Sequence, residues 1–164
     1  MKVQYFPGCT LKNKAKQLDI YARQCAEVLG VTLEEPKEWQ CCGGAYTSAK
    51  DEIATKLPSV RALASGRDNG GKVLTVCSAC YNVLKQTNHE FKVNADFDLR
   101  VNNYMGEDGG YHGEGEVIHF LEFIRIEFQN LIEIRQQGLG FEHISMVVDF
   151  HIRTFFLIVF IIDF

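Results

Sequence analysis

The chain has 164 residues, which is enough for one domain with a sizeable core and short for two. Apolar residues make up 46% of it, and 17 basic against 21 acidic residues leave a net charge of −4. This balance lacks the basic footprint of a nucleic-acid-binding protein and gives no attraction to an anionic membrane surface.

The first residues are expected to form a strand. Residues 1–8 contain no long apolar run, so they do not have the form of a signal peptide. The expected location is therefore cytoplasmic and reducing. In that compartment the six cysteines are more often free thiols, metal ligands or redox groups than disulfides.

Four short segments have the composition of strands. The run Lys72–Val76 is compact, apolar and β-branched, which predicts a buried central strand. The predicted strands are residues 2–6, 31–34, 72–76 and 116–119. Because helical patterns alternate with them, the sequence predicts an α/β fold, a parallel sheet of about four strands flanked by helices.

Apolar residues at helical spacing predict five helices. They cover residues 14–29, 48–64, 79–91, 96–105 and 120–133. Gly30 is expected to end the first helix. Pro58 lies inside the second and is expected to kink it or split it in two. The glycines of residues 66–71 predict a turn.

The end of the chain has a different character. We predict a cysteine-rich module at residues 1–135 and an atypical hydrophobic tail at residues 136–164. Residues 155–162 form an eight-residue apolar run. A bilayer span needs about 20 residues, and Asp149, Arg153 and Asp163 interrupt any longer window. No membrane span is therefore expected.

Three groups of cysteines lie near the ends of predicted strands. Cys9 follows the first strand, Cys41 and Cys42 precede the second predicted helix, and Cys77 and Cys80 follow the central strand. Loops at the carboxyl ends of parallel strands line one crevice, so we expect these five thiols to converge there.

The surroundings of the thiols suit metal ligation. Gly8, Gly43 and Gly44 lack a Cβ, so the backbone can approach a bulky inorganic core. Cys80 is expected in the first turn of a helix. The free N–H groups and partial positive charge of a helix N-terminus favour thiolate over thiol.

The number of thiols bears on the choice of metal. Structural zinc and an ordinary iron–sulfur cubane each take four ligands, whereas this crevice offers five. Neighbouring side chains diverge, so Cys41 and Cys42 suit different irons of one larger cluster better than one small ion. The count favours a polynuclear, non-standard cluster. A structural zinc module and a thiol–disulfide oxidoreductase using Cys77 and Cys80 stay open as alternatives.

Three other residues have lesser expected roles. Cys25 lies on the apolar face of the first predicted helix and is expected in the core. His119 ends the fourth predicted strand, where a half-buried structural histidine is favoured over a hydrogen bond to sulfur or a proton shuttle. Trp39 is expected to pack over the loop that contains Cys41.

The cysteine runs resemble the first cysteine-rich "CCG" module in the B-type subunit of heterodisulfide reductase. The spacing is Cys-x31-Cys-Cys-x34-Cys-x2-Cys. The runs that carry the resemblance are Tyr5-Phe-Pro-Gly-Cys-Thr-Leu-Lys12, Trp39-Gln-Cys-Cys-Gly-Gly44, Leu74-Thr-Val-Cys-Ser-Ala-Cys-Tyr-Asn82 and Val117-Ile-His-Phe-Leu-Glu122. Lactate-utilisation and glycerol-3-phosphate dehydrogenase subunits contain related modules, but these runs look most like the heterodisulfide reductase branch.

The resemblance implies a cofactor, partners and a substrate. It implies that Cys9, Cys41, Cys42, Cys77 and Cys80 bind a noncubane [4Fe-4S] cluster. The implied partners are an iron–sulfur protein similar to the C-type subunit of that enzyme and a flavin-containing subunit. The implied substrate is a disulfide, similar to the CoB–CoM heterodisulfide.

The resemblance covers roughly residues 1–135 and one module, whereas members of that family have two. The hydrophobic tail looks like a truncated or frameshifted end. We therefore expect an oxidoreductase component that does not complete heterodisulfide reduction as a single chain.

Overall fold

A computed structural model describes residues 1–44, 52–106 and 110–136, with side chains up to residue 130. The chain divides into two compact units, residues 1–123 and 124–164. The cysteines all belong to the first unit. The predicted tail, residues 136–164, lies outside the described range apart from Gln136, so the division at residue 135 stays a prediction.

The predicted α/β fold is confirmed. All strand pairs are parallel, and the sheet has the order β2-β1-β3-β4. The strands are β1 (Lys2–Tyr5), β2 (Thr32–Glu34), β3 (Lys72–Thr75) and β4 (Glu116–His119). The helices are α1 (Gly8–Asn13), α2 (Lys16–Val28), α3 (Glu52–Asp68), α4 (Ser78–Val93), α5 (Ala95–Met105) and α6 (Phe120–Gln136).

The register brings the ends of the two central strands together. Gln4 of β1 pairs with Val73 of β3, and the Phe6 N–H donates to the Leu74 carbonyl at 2.8 Å. This backbone hydrogen bond extends the pairing past the last residue of β1. The chain segments that follow β1 and β3 therefore start side by side at the carboxyl edge of the sheet.

The core is built by the apolar faces that the sequence pattern predicted. Helices α3, α4 and α5 contact one another, and α3 and α4 also contact β3. The side chains of Tyr5, Phe6, Leu63 and Leu84 are at most 1% exposed. Among the described residues, no helix combines the length and the apolar character that a bilayer crossing requires.

The first predicted helix is confirmed as α2 to within two residues at its start, but the sequence analysis missed α1, which precedes it. Helix α1 begins at Gly8, and α2 begins at Lys16, after Ala15 adopts a non-helical conformation. Only Gly8 and Leu11 of α1 are buried. A six-residue helix with so few buried positions shows no apolar period.

Pro58 was predicted to kink the second helix or to split it, and the split is wrong, while the kink stays a prediction. Helix α3 continues through Pro58 to Asp68. Ile53 and Val60, on either side of the proline, are buried at 1% and 0% exposure. Tertiary packing therefore outweighs the lost backbone donor. The predicted turn is shorter than expected because Gly66 belongs to the helix, and the predicted start at Ser48 lies outside the described residues.

Gly66 offers a test of helix-to-sheet packing. A Cβ added there would lie 2.1 Å from Cγ2 of Val73 in β3. Helix propensity alone makes Gly66→Ala favourable by about 1 kcal/mol. We expect the clash to win and to lower the free energy of unfolding by about 1–3 kcal/mol in denaturant titrations. Adding Val73→Ala should recover part of the loss, and a stabilised single variant would contradict this packing.

Candidate metal centre

Three chain segments bring the cysteines to the carboxyl edge of the sheet. Cys9 is the second residue of α1, directly after β1. Cys77 is the N-cap of α4, directly after β3, and Cys80 lies in the first turn of that helix. Cys41 and Cys42 lie in the connection between β2 and α3. The expected convergence at one edge follows from the neighbouring positions of β1 and β3.

The five sulfur atoms form a connected group. The Sγ atoms of Cys9 and Cys41 are 3.4 Å apart, as are those of Cys42 and Cys80. Side-chain interactions also link Cys41 to Cys42 and Cys77 to Cys80. The structure thus brings together every cysteine that the sequence singled out, while their role as ligands stays a prediction.

The group has a buried side and an open side. Cys42 and Cys80 are 5% and 3% exposed, whereas Cys9, Cys41 and Cys77 are half-buried. Among the described residues, the group is therefore more exposed at Cys9, Cys41 and Cys77 than at Cys42 and Cys80.

Three of the thiols, those of Cys42, Cys77 and Cys80, differ in their pKa values. Hydrogen bonds to Cys42 and Cys77, together with burial, raise the pKa of Cys80 well above its ordinary value. The contact with the Cys80 sulfur, 3.4 Å away, outweighs burial and lowers the pKa of Cys42 to about 6. The pKa of Cys77 is also lowered to about 6, first by its bond with Cys80. Negative charge is therefore favoured on Cys42 and Cys77 over Cys80.

Backbone N–H groups support the negative charge. The N–H groups of Ala79 and Cys80, at the N-terminus of α4, interact with Cys77 and lower its pKa. The Gly44 N–H does the same for Cys42. Burial and the contact with Cys9 nevertheless raise the pKa of Cys41.

Gly8 permits the closest approach between two of the segments. Its φ is +73°, and a Cβ there would lie 2.6 Å from Sγ of Cys80. A side chain at this position would therefore displace the sulfur, and the conformation is one that L residues rarely adopt. Of the glycines that the sequence singled out, Gly8 has this direct geometric role.

Two supporting residues were missed by the sequence analysis. The Ser59 hydroxyl of α3 is fully buried and donates to the Cys42 carbonyl at 3.2 Å. Glu35 accepts a hydrogen bond from Trp39 Nε1 at 2.8 Å. Both contacts depend on tertiary structure, and no local pattern in the sequence signals them. Trp39 packs edge-on against Phe6, with ring centroids 5.3 Å apart.

His119 lies near the thiols but bonds to other groups. The Leu121 N–H donates to Nδ1 at 3.3 Å, so Nε2 carries the proton of the neutral ring, and Nε2 lies 3.4 Å from the Ser78 hydroxyl. Burial lowers the pKa of His119 and favours this neutral form. The ring also packs edge-on against Tyr81. A role of His119 toward sulfur stays a prediction.

Cys25 lies outside the group, as predicted, but it is half-buried and not a full core residue. Partial burial raises the pKa of its thiol. The prediction of a core position was therefore only partly correct. Cys25 instead provides an internal reference thiol in chemical experiments on the other five.

The thiol arrangement limits what the group can hold. Within the parts of the chain that the structure describes, no three His, Cys, Asp or Glu side chains are grouped like ligands of a single metal ion. The thiols lie instead in two close pairs with Cys77 beside one of them. Thiolate sulfur suits zinc and iron–sulfur clusters, so these five residues are the candidate ligands among the described residues.

Comparison with known proteins agrees with this interpretation of the cysteines. The cysteine-rich domain family (CCG) matches residues 3–85. The 8-methylmenaquinol:fumarate reductase membrane anchor subunit of Wolinella succinogenes is 30% identical over 134 residues, covering 81% of this chain and 45% of that relative.

Heterodisulfide reductase subunits are among the other relatives. The B-type subunit of the ferredoxin/F420H2-dependent CoB–CoM heterodisulfide reductase of Methanosarcina acetivorans is 29% identical, covering 75% of this chain and 42% of that relative. A protein of Archaeoglobus profundus that is similar to this B-type subunit is 25% identical over 73% of this chain and 40% of that relative. The resemblance noted in the sequence is confirmed, and the chain spans less than half the length of these relatives.

Gly8 and Gly30 form a matched pair for testing the close approach. Both have positive φ, +73° and +70°, but a Cβ at Gly30 would meet nothing within 4 Å. Alanine should cost roughly 1–2 kcal/mol of stability at either site because of the backbone conformation. Only Gly8→Ala should also displace Cys80 and remove most of the metal bound after anaerobic reconstitution. Equal metal content in the two variants would contradict the contact.

The unequal pKa values predict unequal reactivity. In the metal-free chain, Cys77 has a pKa lowered to about 6, whereas that of Cys25 is raised. Iodoacetamide reacts with thiolate. Alkylation of Cys77, followed by mass spectrometry, should therefore be near its plateau at pH 7 and fall as the pH drops through 6. Alkylation of Cys25 should still be rising above pH 9. Matching pH profiles of alkylation for Cys77 and Cys25 would contradict the lowered pKa of Cys77.

Proposed function

This chain belongs to the cysteine-rich (CCG) domain family, and from that premise we propose that it is an iron–sulfur electron-transfer module of an oxidoreductase. The proposed cofactor is one noncubane [4Fe-4S] cluster. The proposed ligands are Cys9, Cys41, Cys42, Cys77 and Cys80.

The connected group of five sulfur atoms carries this proposal. The Cys41 sulfur contacts Cys9, while the Cys42 sulfur contacts Cys80. Cys41 and Cys42 also interact with each other, so the sulfur atoms form one continuous series of contacts that is longer than the ligand set of a single ion. Such an arrangement suits an extended polynuclear cofactor, because a single zinc ion needs its four ligands in one closed tetrahedron.

The donor set and its surroundings fit this cofactor. All five donors are sulfur, and Gly8 keeps the approach to Cys80 free of a side chain. When bound, an iron–sulfur cluster supplies one-electron chemistry whose potential depends on charge and on hydrogen bonds to sulfur. The N–H groups at the start of α4 and at Gly44 stabilise thiolate charge here. Cys42 and Cys80 exclude water on the buried side, while the half-buried thiols leave the other side accessible.

The proposed substrate is a disulfide, similar to the CoB–CoM heterodisulfide. Support comes from the relatives whose names specify heterodisulfide reductase.

The proposed partners are an iron–sulfur protein similar to the C-type subunit of that enzyme and a flavin-containing subunit, which would deliver electrons. The six free thiols fit a reducing, cytoplasmic compartment. One module covers less than half of each relative, so we propose that it acts as a component of a larger assembly.

A thiol–disulfide oxidoreductase is the second candidate. The half-buried Cys77 has a lowered pKa and contacts Cys80 at a helix N-terminus, which are features of a reactive Cys-x-x-Cys pair. This alternative predicts that the iron-free chain exchanges thiols with a disulfide. It also predicts that Cys41 is dispensable for that exchange.

A substitution at Cys41 tests the five-ligand proposal. Anaerobically purified chain should contain about four irons and four sulfides. Cys41→Ser should lower the iron content or change the electron paramagnetic resonance and visible spectra, because it removes one sulfur ligand. The control is Cys25→Ser, which removes a thiol outside the group and should change neither. An unchanged spectrum in Cys41→Ser would defeat the five-ligand model, and stoichiometric zinc in a colourless protein would defeat the iron–sulfur assignment.

A further inference from the structure

Glu35 joins several elements around one end of the thiol group. It directly follows β2, and its side chain is 24% exposed. Its Oε2 accepts from Lys12 Nζ at 2.6 Å and from Arg23 Nη2 at 2.9 Å. Its Oε1 accepts from Trp39 Nε1 at 2.8 Å. Both carboxylate oxygens are therefore occupied by donors from other segments.

Two of these donors lie next to the half-buried thiols. Lys12 belongs to α1, the helix that also contains Cys9. Trp39 lies just before Cys41, in the same connection. Cys9 and Cys41 are the pair whose sulfurs are 3.4 Å apart. The carboxylate of Glu35 thus links the two segments that carry this pair.

Arg23 anchors the carboxylate to the body of the domain. Its Nε atom pairs with Asp19 at 3.1 Å, and Asp19 accepts from the Tyr5 hydroxyl at 2.8 Å. Tyr5 is fully buried at the end of β1. Glu35 is therefore held by a chain of contacts that ends in the core, and it is more constrained than a typical surface ion pair.

The Trp39 ring fixes the same loop from a second direction. It packs edge-on against Phe6, which is 1% exposed and lies between β1 and α1. Partial burial of Glu35 raises its pKa, but the bonds from Lys12 and Trp39 and the charge of Arg23 outweigh this effect and lower it. The carboxylate is therefore ionised at neutral pH and forms charge-assisted hydrogen bonds.

We propose that Glu35 is a positioning residue that sets the separation of Cys9 and Cys41. The carboxylate clamps α1 through Lys12 and the Cys41 loop through Trp39, so the two sulfurs are held within reach of one cofactor. The effect of this positioning on cluster binding rests on the proposed function. Its effect on the distance between the two sulfurs does not.

Glu34 provides the matched control. It is adjacent in sequence and forms an ion pair with Lys2 at 2.5 Å, but the two side chains are 48% and 73% exposed. Glu34→Gln and Glu35→Gln are therefore the same chemical change, one residue apart. Only the second removes charge from the contacts beside the thiols.

The experiment measures disulfide formation in the full chain after iron removal by a chelator. Diamide accepts the two electrons and two protons that a pair of thiols gives up as the S–S bond forms. Peptide mapping then follows two crosslinks in the same molecule, Cys9 to Cys41 and Cys42 to Cys80. Because both pairs start at 3.4 Å, the second crosslink is an internal measure of folding.

We expect Glu35→Gln to slow the Cys9–Cys41 crosslink about tenfold relative to the Cys42–Cys80 crosslink, since charge-assisted hydrogen bonds are lost. Glu34→Gln should match the unaltered chain. Trp39→Phe keeps a ring against Phe6 but removes the N–H donor, and it should show a smaller slowing in the same direction. This variant carries the test if Glu35→Gln does not fold.

The proposal would be overturned if Glu35→Gln and Trp39→Phe left the ratio of the two crosslinking rates unchanged, whether neither crosslink slowed or both slowed equally. The outcome is independent of iron binding. Separate iron analysis of the reconstituted variants distinguishes failure of this inference from failure of the proposed function.

Discussion

The parallel pairing of β1 with β3 is the constraint on which the thiol group depends. These strands are neighbours at the centre of the sheet, and both end at the same edge. The segments that follow them carry Cys9 on one side and Cys77 and Cys80 on the other. Gly8 then allows the two segments to come close enough for contact with the Cys80 sulfur.

Electrostatics lowers the pKa of two thiols in the same group. A metal or cluster binds thiolate, and binding must otherwise displace a proton from each thiol. The lowered pKa values of Cys42 and Cys77 reduce the free-energy cost of losing two of these protons. The N-terminus of α4 contributes through backbone N–H groups. Folding therefore supplies part of the charge arrangement that a positively charged iron centre requires.

The sequence predicted the features that arise from local patterns and from topology. The β-branched run at residues 72–76 and the helical periods around it located β3, α4 and α5 within a few residues, because burial imposes those periods. Loops at the carboxyl ends of parallel strands lie close together, and this rule predicted that the three distant cysteine groups meet. Cys41 and Cys42 contact different partners, Cys9 and Cys80, but they also interact with each other, and their assignment to different irons stays a prediction.

Other features of the structure could not be predicted from local sequence patterns. Helix α1 is too short to show a period, and α3 passes through Pro58 because its buried neighbours stabilise it. The strand order and the contacts of Glu35 and Ser59 depend on residues far apart in sequence. The sequence alone indicates which cysteines lie together, but not which neighbouring residues hold them in place.

Anomalous diffraction from an anaerobically grown crystal, recorded at the iron and zinc absorption edges, tests the central claim most directly. We expect a compact group of iron peaks at the carboxyl edge, within bonding distance of the sulfurs of Cys9, Cys41, Cys42, Cys77 and Cys80. One zinc peak held by four of these sulfurs, or iron with Cys9 or Cys41 turned away, would contradict the proposed centre.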